Sequence, residues 1–142
     1  MSVDEVLEAI YDLRMSSGDF VVCGSVPLFI HGLRREPQDL DIVARDLAWE
    51  KALTYGEASP AFCDDVASIE FMHCGKSIEI LNGWFPAAMG WTVDHLIDTA
   101  DLIKGLRFMT LKQTLTWKEY LRRDKDLDDI ARIKEYFVAN QG

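Results

Sequence analysis

The sequence predicts an α/β (α+β) fold, a mixed β-sheet flanked by helices and closed by C-terminal helices. Two observations carry this expectation. Apolar residues at helical spacing alternate with short runs rich in β-forming residues. The resulting order, α-β-α-β-α-β-β and then helices, is not a regular parallel repeat.

Each element has a local signal. Ser2 and Glu5 form a capping box, and Val3, Val6, Leu7, Ile10 and Leu13 follow it at helical spacing, which predicts a helix over 3–15. Phe20-Val21-Val22-Cys23 reads as a buried strand, broken by Gly24-Ser25. Val26 to His31 reads as a short helix with Ser25 as N-cap and Pro27 in its first turn, and Gly32 closes it. Residues 39–44 alternate polar and apolar, a strand signal. Asp46 is expected to cap a helix running to Tyr55 and stopped by Gly56. Residues 68–73 and 77–81 form a hairpin around Cys74-Gly75-Lys76. Between 84 and 109 the pattern predicts loops and one or two short strands, within 102–109. Thr110 and Gln113 form a second capping box opening a helix over 111–122. The last helix covers 126–139, with Leu127, Ile130, Ile133 and Phe137 on one face.

The bulk properties narrow the function classes. With 142 residues, 49% of them hydrophobic, the chain fits a single domain over 1–142 with a real core. The net charge of −9 repels nucleic-acid phosphates and anionic membranes, which disfavours a generic grip on DNA or RNA. Cys23, Cys63 and Cys74 are odd in number and lack zinc-ligand spacing, so they read as reduced thiols of a cytoplasmic protein. The acidic N-terminus lacks a signal peptide's basic flank, and no apolar run has the length of a membrane span.

The chemistry concentrates in Val22-Cys23-Gly24-Ser25 and, after thirteen intervening residues, Asp39-Leu40-Asp41-Ile42. Gly24 lets a phosphate approach the backbone closely, and Ser25 offers a hydroxyl at a helix start. Asp39 and Asp41, at i and i+2 of a strand, leave the same face about 7 Å apart at Cα. Two such carboxylates repel unless a divalent cation lies between them, and magnesium favours a site of carboxylate oxygens completed by water and substrate phosphates. Glu79, in Ile78-Glu79-Ile80, is the candidate third acid. Glu70, in Ile69-Glu70-Phe71, has the same local pattern and is the alternative.

Gly-Ser, a short spacer, Asp-x-Asp and a later acidic strand residue together resemble the signature of the DNA polymerase β-like nucleotidyltransferase superfamily. His31-Gly32-Leu33-Arg34-Arg35 is similar to the "hG-R" element of its minimal members. Trp117-Lys118 through Asp129-Ile130 is similar to the "KL…R.KD..DI" segment of the AbiEii-type nucleotidyltransferases of toxin–antitoxin systems and of some antibiotic nucleotidyltransferases. Three features depart from that pattern: Pro27 and Phe29 in the helix after Gly-Ser, Glu at 79 where Asp is commoner, and Leu121 three residues after Lys118.

The resemblance implies a nucleotidyltransferase fold, two Mg²⁺ ions (Mn²⁺ as a substitute) and transfer of a nucleoside monophosphate from a nucleoside triphosphate such as ATP to an acceptor hydroxyl. Asp39, Asp41 and Glu79 would be the catalytic metal ligands. Gly24, Ser25, Arg35 and Lys118 would bind the nucleotide, and pyrophosphate would leave. The acceptor would be a protein or small molecule rather than an RNA end, given the acidic balance. A partner protein or a second copy would complete so short a chain. The alternative is a nucleotidyltransferase-fold subunit of a toxin–antitoxin pair that acts by protein binding; the intact acidic set argues against it. Read from the residues alone, Lys118, Arg123, Lys125 and Asp126 fit surface helix charges with i,i+4 partners better than site residues. Trp84, Trp91 and Trp117 read as core or rim rather than base-stacking platforms.

Overall fold

The computed structural model describes residues 2–34, 36–60 and 65–141. Helix α1 (Val3–Asp12) starts at the expected capping box: the Ser2 hydroxyl accepts from the Glu5 amide, and the Glu5 carboxylate accepts from the Ser2 amide. It ends earlier than the apolar spacing predicts because Arg14 takes a left-handed conformation, φ 55°. A 3₁₀ turn, Ser17–Asp19, leads into strand β1 (Phe20–Cys23), and helix α2 (Val26–Ile30) follows.

Strand β2 (Asp39–Ala44) has the expected bounds. Helix α3 (Asp46–Ala52) differs from expectation at both ends. Arg45, with no side-chain capping bond, holds the cap position in place of Asp46, and Leu53 rather than Gly56 ends the helix. Strand β3 (Ser59–Pro60) is a short edge. Strands β4 (Ala67–His73) and β5 (Lys76–Leu81) make the predicted hairpin.

Helix α4 (Val93–Asp98) is an addition to the predicted loop, capped by the Thr92 hydroxyl accepting from the His95 amide. Strands β6 (Asp101–Ile103) and β7 (Leu106–Phe108) then form a hairpin around Lys104-Gly105. Helix α5 (Leu111–Leu121) opens with the Thr110–Gln113 capping box, and helix α6 (Asp124–Ala139) closes the chain.

The strand order is β3-β4-β5-β2-β1-β7-β6. Pairs β2–β5 and β1–β7 are parallel and the others antiparallel, so the sheet is mixed, as expected. Because strand side chains alternate between faces, the sheet divides its core in two. One face packs Phe20, Val22, Leu40, Ile42, Ile78 and Ile80 with Leu7 and Ile10 of α1 and Ala48 and Ala52 of α3. The other packs Val21, Cys23 and Val43 with Trp84, Leu96, Ile97 and Met109. Leu28, Leu111 and Ile133 join α2, α5 and α6 in a third cluster. No described helix is long and apolar enough to cross a membrane.

Candidate active site

The second face of the sheet is apolar at one end and acidic at the other. Alternation sends Leu40 and Ile42 into the α1 side and leaves Asp39 and Asp41 on the opposite one, where Val43 continues as core. Beside β2 runs β5, whose Ile78 and Ile80 point with Leu40 and Ile42. Glu79 therefore faces the way Asp41 does. The register sets Asp41 level with Glu79, and Asp39 level with Ser77.

Neighbouring strands lie about 4.8 Å apart, so the two acids are close without a turn or loop having to bring them together. Glu70 pairs with Glu79 on the far side. It is exposed and sits two strand spacings, about 10 Å, from Asp41. Of the two candidates, Glu79 thus adjoins the aspartates and Glu70 flanks it. Among the described residues, the three carboxylates are not drawn so tightly that one oxygen of each falls within 4.8 Å of the others.

The electrostatics register the crowding. Burial, and then the Asp39 charge, raise the Asp41 carboxyl above its ordinary range, while Lys118 and Lys125 pull it back. Glu79 is raised to about 6, first by burial and next by its hydrogen bond with Glu70, with Asp41 adding repulsion. The Ser68 hydroxyl opposes this by donating to Glu79 Oε2 at 3.1 Å. Burial and Asp41 push the Cys23 thiol up as well, so this cysteine is a neutral, buried group beneath the acids.

Gly24 is required twice over. Its φ of 68° is left-handed, and a Cβ there would overlap the Asp41 carboxylate. Ser25 occupies the cap position of α2, but its hydroxyl makes no capping bond. A capping side chain needs an extended backbone at its own residue, whereas Ser25 is helical at φ −85°, ψ −15°, and the second helical residue, Pro27, has no amide hydrogen to offer. Ser25 instead lines the cleft in front of the acids. With five residues α2 is too short for a full macrodipole, so the pocket here rests on close backbone approach.

The opposite wall of the cleft comes from the last two helices. Lys118 is only 4% exposed, and its Nζ lies 3.4 Å from Asp126 and 3.2 Å from Asp129, which are 1% and 4% exposed. Asp126 also takes a two-pronged bond from Arg123, with Nε at 2.7 Å and Nη2 at 3.0 Å, while Asp129 takes Arg34 Nη1 at 2.7 Å. This corrects the predicted face of the last helix. Leu127 is exposed, and Asp126 and Asp129 are buried alongside Ile130 and Ile133. It also excludes the surface reading of Lys118 and Asp126. A buried ammonium needs buried counter-charges, and that need outranks hydropathy in choosing which side of α6 turns inward. Positions 126, 129, 130 and 133 do share one helical stripe, but the local sequence does not show that the acids on it turn inward.

Gly24, Asp39, Asp41, Glu79, Lys118 and Arg123 all border one cleft of about 790 Å³, together with Ser25, Arg34 and Lys125. Trp84 and Trp117 form its apolar end. They meet edge to face at 5.5 Å, and Trp84 belongs to the core beneath. Arg35 lies outside the described residues, as does Cys63. His31 packs against Tyr136, in keeping with a structural role.

No protein-family model matches the chain, and no curated protein does. Among solved structures, the chain is similar to the crystal structure of JHP933 from Helicobacter pylori, with a TM-score of 0.55 at 13% identity. The match covers 97% of this chain and 65% of that one, so the chain spans under two thirds of its neighbour's length. At this identity the likeness is one of fold.

Proposed function

We propose that the chain is a divalent-metal-dependent nucleotidyltransferase that moves a nucleoside monophosphate from a nucleoside triphosphate to an acceptor hydroxyl. The observation that carries this is the level pairing of Asp41 with Glu79 on adjacent parallel strands, with Asp39 on the same face and the Gly24 backbone against Asp41. The donor set suits Mg²⁺: carboxylate oxygens only, in an open cleft with space for water and phosphate. Bound there by Asp39, Asp41 and Glu79, the metal would supply charge neutralisation for the triphosphate and polarise its phosphoryl oxygens.

The chain's own residues do the rest. Gly24 admits the phosphates to the backbone, and the Ser25 hydroxyl donates to a phosphoryl oxygen. Lys118, Arg123 and Arg34 on the facing wall counter the triphosphate's charge. Glu79, level with Asp41 on the neighbouring strand, is placed to take the acceptor hydroxyl proton as that oxygen bonds to the α-phosphorus and the bond to the departing pyrophosphate breaks. Most of the acceleration would come from positioning and charge complementarity. The acidic balance favours a protein or small-molecule acceptor over RNA.

The test is incubation with each labelled nucleoside triphosphate, Mg²⁺ and cell lysate, comparing the parent with Asp39→Ala/Asp41→Ala. Transfer of label by the parent alone is the expected result. An absence of label with all four nucleotides, together with no metal-dependent thermal shift by any of them, would overturn the proposal.

A further inference from the structure

A second group of ligand-bearing side chains lies away from the cleft. His73 ends β4 on the same face as Ile69 and Phe71, the side packed against α1, whereas Glu70 faces the acids. Asp12 is the last residue of α1, and Cys74 is the first residue of the hairpin turn. One ligand atom from each of Asp12, His73 and Cys74 lies within 4.8 Å of the other two. His73 Nε2 stands 3.3 Å from Asp12 Oδ2. Yet this buried nitrogen has no hydrogen-bond partner, so the contact lacks the alignment of a simple imidazole–carboxylate bond.

The geometry points to a transition-metal site of the zinc type, formed by Asp12, His73 and Cys74 and tying the end of α1 to the β4–β5 hairpin. Bond lengths of 2.0–2.3 Å around a tetrahedral ion put its ligand atoms about 3.3–3.7 Å apart. The His73–Asp12 separation already equals that edge. Cys74 has at most about 1.5 Å to close, within reach of rotation about its exposed side chain.

Thiolate, imidazole and carboxylate together select zinc, or cobalt as its probe, over magnesium. Three protein ligands leave the fourth position for water or an outside ligand. The surroundings are stiff. Phe71 contacts His73 edge to face and stacks on Tyr55 at 4.9 Å, and the Tyr55 hydroxyl donates to the Leu13 carbonyl at 2.6 Å, next to Asp12. Binding releases the thiol proton to solvent and involves no redox step. None of this depends on the chemistry of the cleft.

The experiment uses the reduced full chain and Co²⁺ at neutral pH. One equivalent should give a thiolate-to-cobalt charge-transfer band that equimolar Zn²⁺ removes and excess Mg²⁺ does not. Cys74→Ser should lose the band and Cys63→Ser should keep it. His73→Ala and Asp12→Asn should each weaken binding by about ten-fold or more. In the unmutated protein, one equivalent of Zn²⁺ should protect Cys74 from alkylation, a readout that needs no variant to fold. A band that survives Cys74→Ser, affinities unchanged in both His73→Ala and Asp12→Asn, or alkylation of Cys74 indifferent to zinc would each overturn the site.

Discussion

Replacing Glu79 by Gln should stabilise the metal-free protein above neutral pH. Glu79 is raised from an ordinary 4.5 to about 6 by burial, Glu70 and Asp41. A raised carboxyl contributes its stability in the protonated form. That contribution is complete below the unfolded-state value and is lost as pH rises through about 6. The shift alone corresponds to about 2 kcal/mol, and partial solvent contact reduces it to about 1 kcal/mol.

Gln has nearly the same shape and keeps an acceptor for the Ser68 hydroxyl, so it removes the charge with little else. In a chelator at pH 8 the variant should melt about 3–4 °C higher than the parent. At pH 4.5 most of the difference should be gone, because the folded parent's Glu79 is then largely protonated. With magnesium and nucleotide the order should reverse, since the parent gains a ligand that the variant holds poorly. Thermal unfolding at the two pH values checks the account. A variant less stable than the parent at pH 8, or an equal difference at both, would refute the claim that an uncompensated charge sits there.

Gly24→Ala should cost about 2–4 kcal/mol in urea unfolding, from its left-handed backbone and the overlap with Asp41. In an Asp41→Ala background that cost should shrink to the backbone part alone; equal costs in both backgrounds would disconnect the two residues. Lys118→Met should destabilise by about 3 kcal/mol, near the low end for a broken buried pair, because Arg123 and Arg34 still hold Asp126 and Asp129. Burial pushes Asp126 up, but the bonds from Arg123 and the Lys118 charge outweigh it and hold the carboxyl low. The penalty of Asp126→Asn, measured by chemical denaturation, should therefore be full at neutral pH and fade as acid protonates the parent's Asp126. Glu70→Gln should leave transfer activity far closer to the parent's than Glu79→Gln does, since Glu70 stands one strand further from the aspartates.

The parts of this protein legible in sequence are those whose reasons are local. Alternation through Asp39–Ala44 and through Ile78–Ile80 fixes which side each acid takes, and only the adjacency of β2 and β5 had to be supplied by the fold. The two capping boxes were legible for the same reason, since donor and acceptor lie three residues apart. Helix α4 was not. It is six residues long, too short for a periodic signal, and it holds because Leu96 and Ile97 bury against the second core. The inward turn of Asp126 and Asp129 was hidden by a rule that is sound on average, that charged residues of a helix face water. Lys118 overrides it from another helix, and no window around residue 126 contains that information.

Under the proposed function, the two walls of the cleft set one electrostatic condition on a bound polyphosphate. On the sheet side, Asp39, Asp41 and Glu79 form no ion pair among the described residues, and Asp41 and Glu79 carry raised pKa values. On the helix side, Arg34, Lys118 and Arg123 are held by two buried aspartates that absorb part of their charge. The aspartates set the cations in place and temper them, so a bare triphosphate meets a weakened attraction on one wall and repulsion from the other. A triphosphate carrying divalent ions presents a positive side to the carboxylates and phosphate oxygens to the cations, and only that form satisfies both walls. Nucleotide binding should therefore depend steeply on Mg²⁺. Titration of nucleoside triphosphate in chelator, followed by calorimetry, should give no saturable heat, and saturable binding there would remove the electrostatic basis of the proposed chemistry.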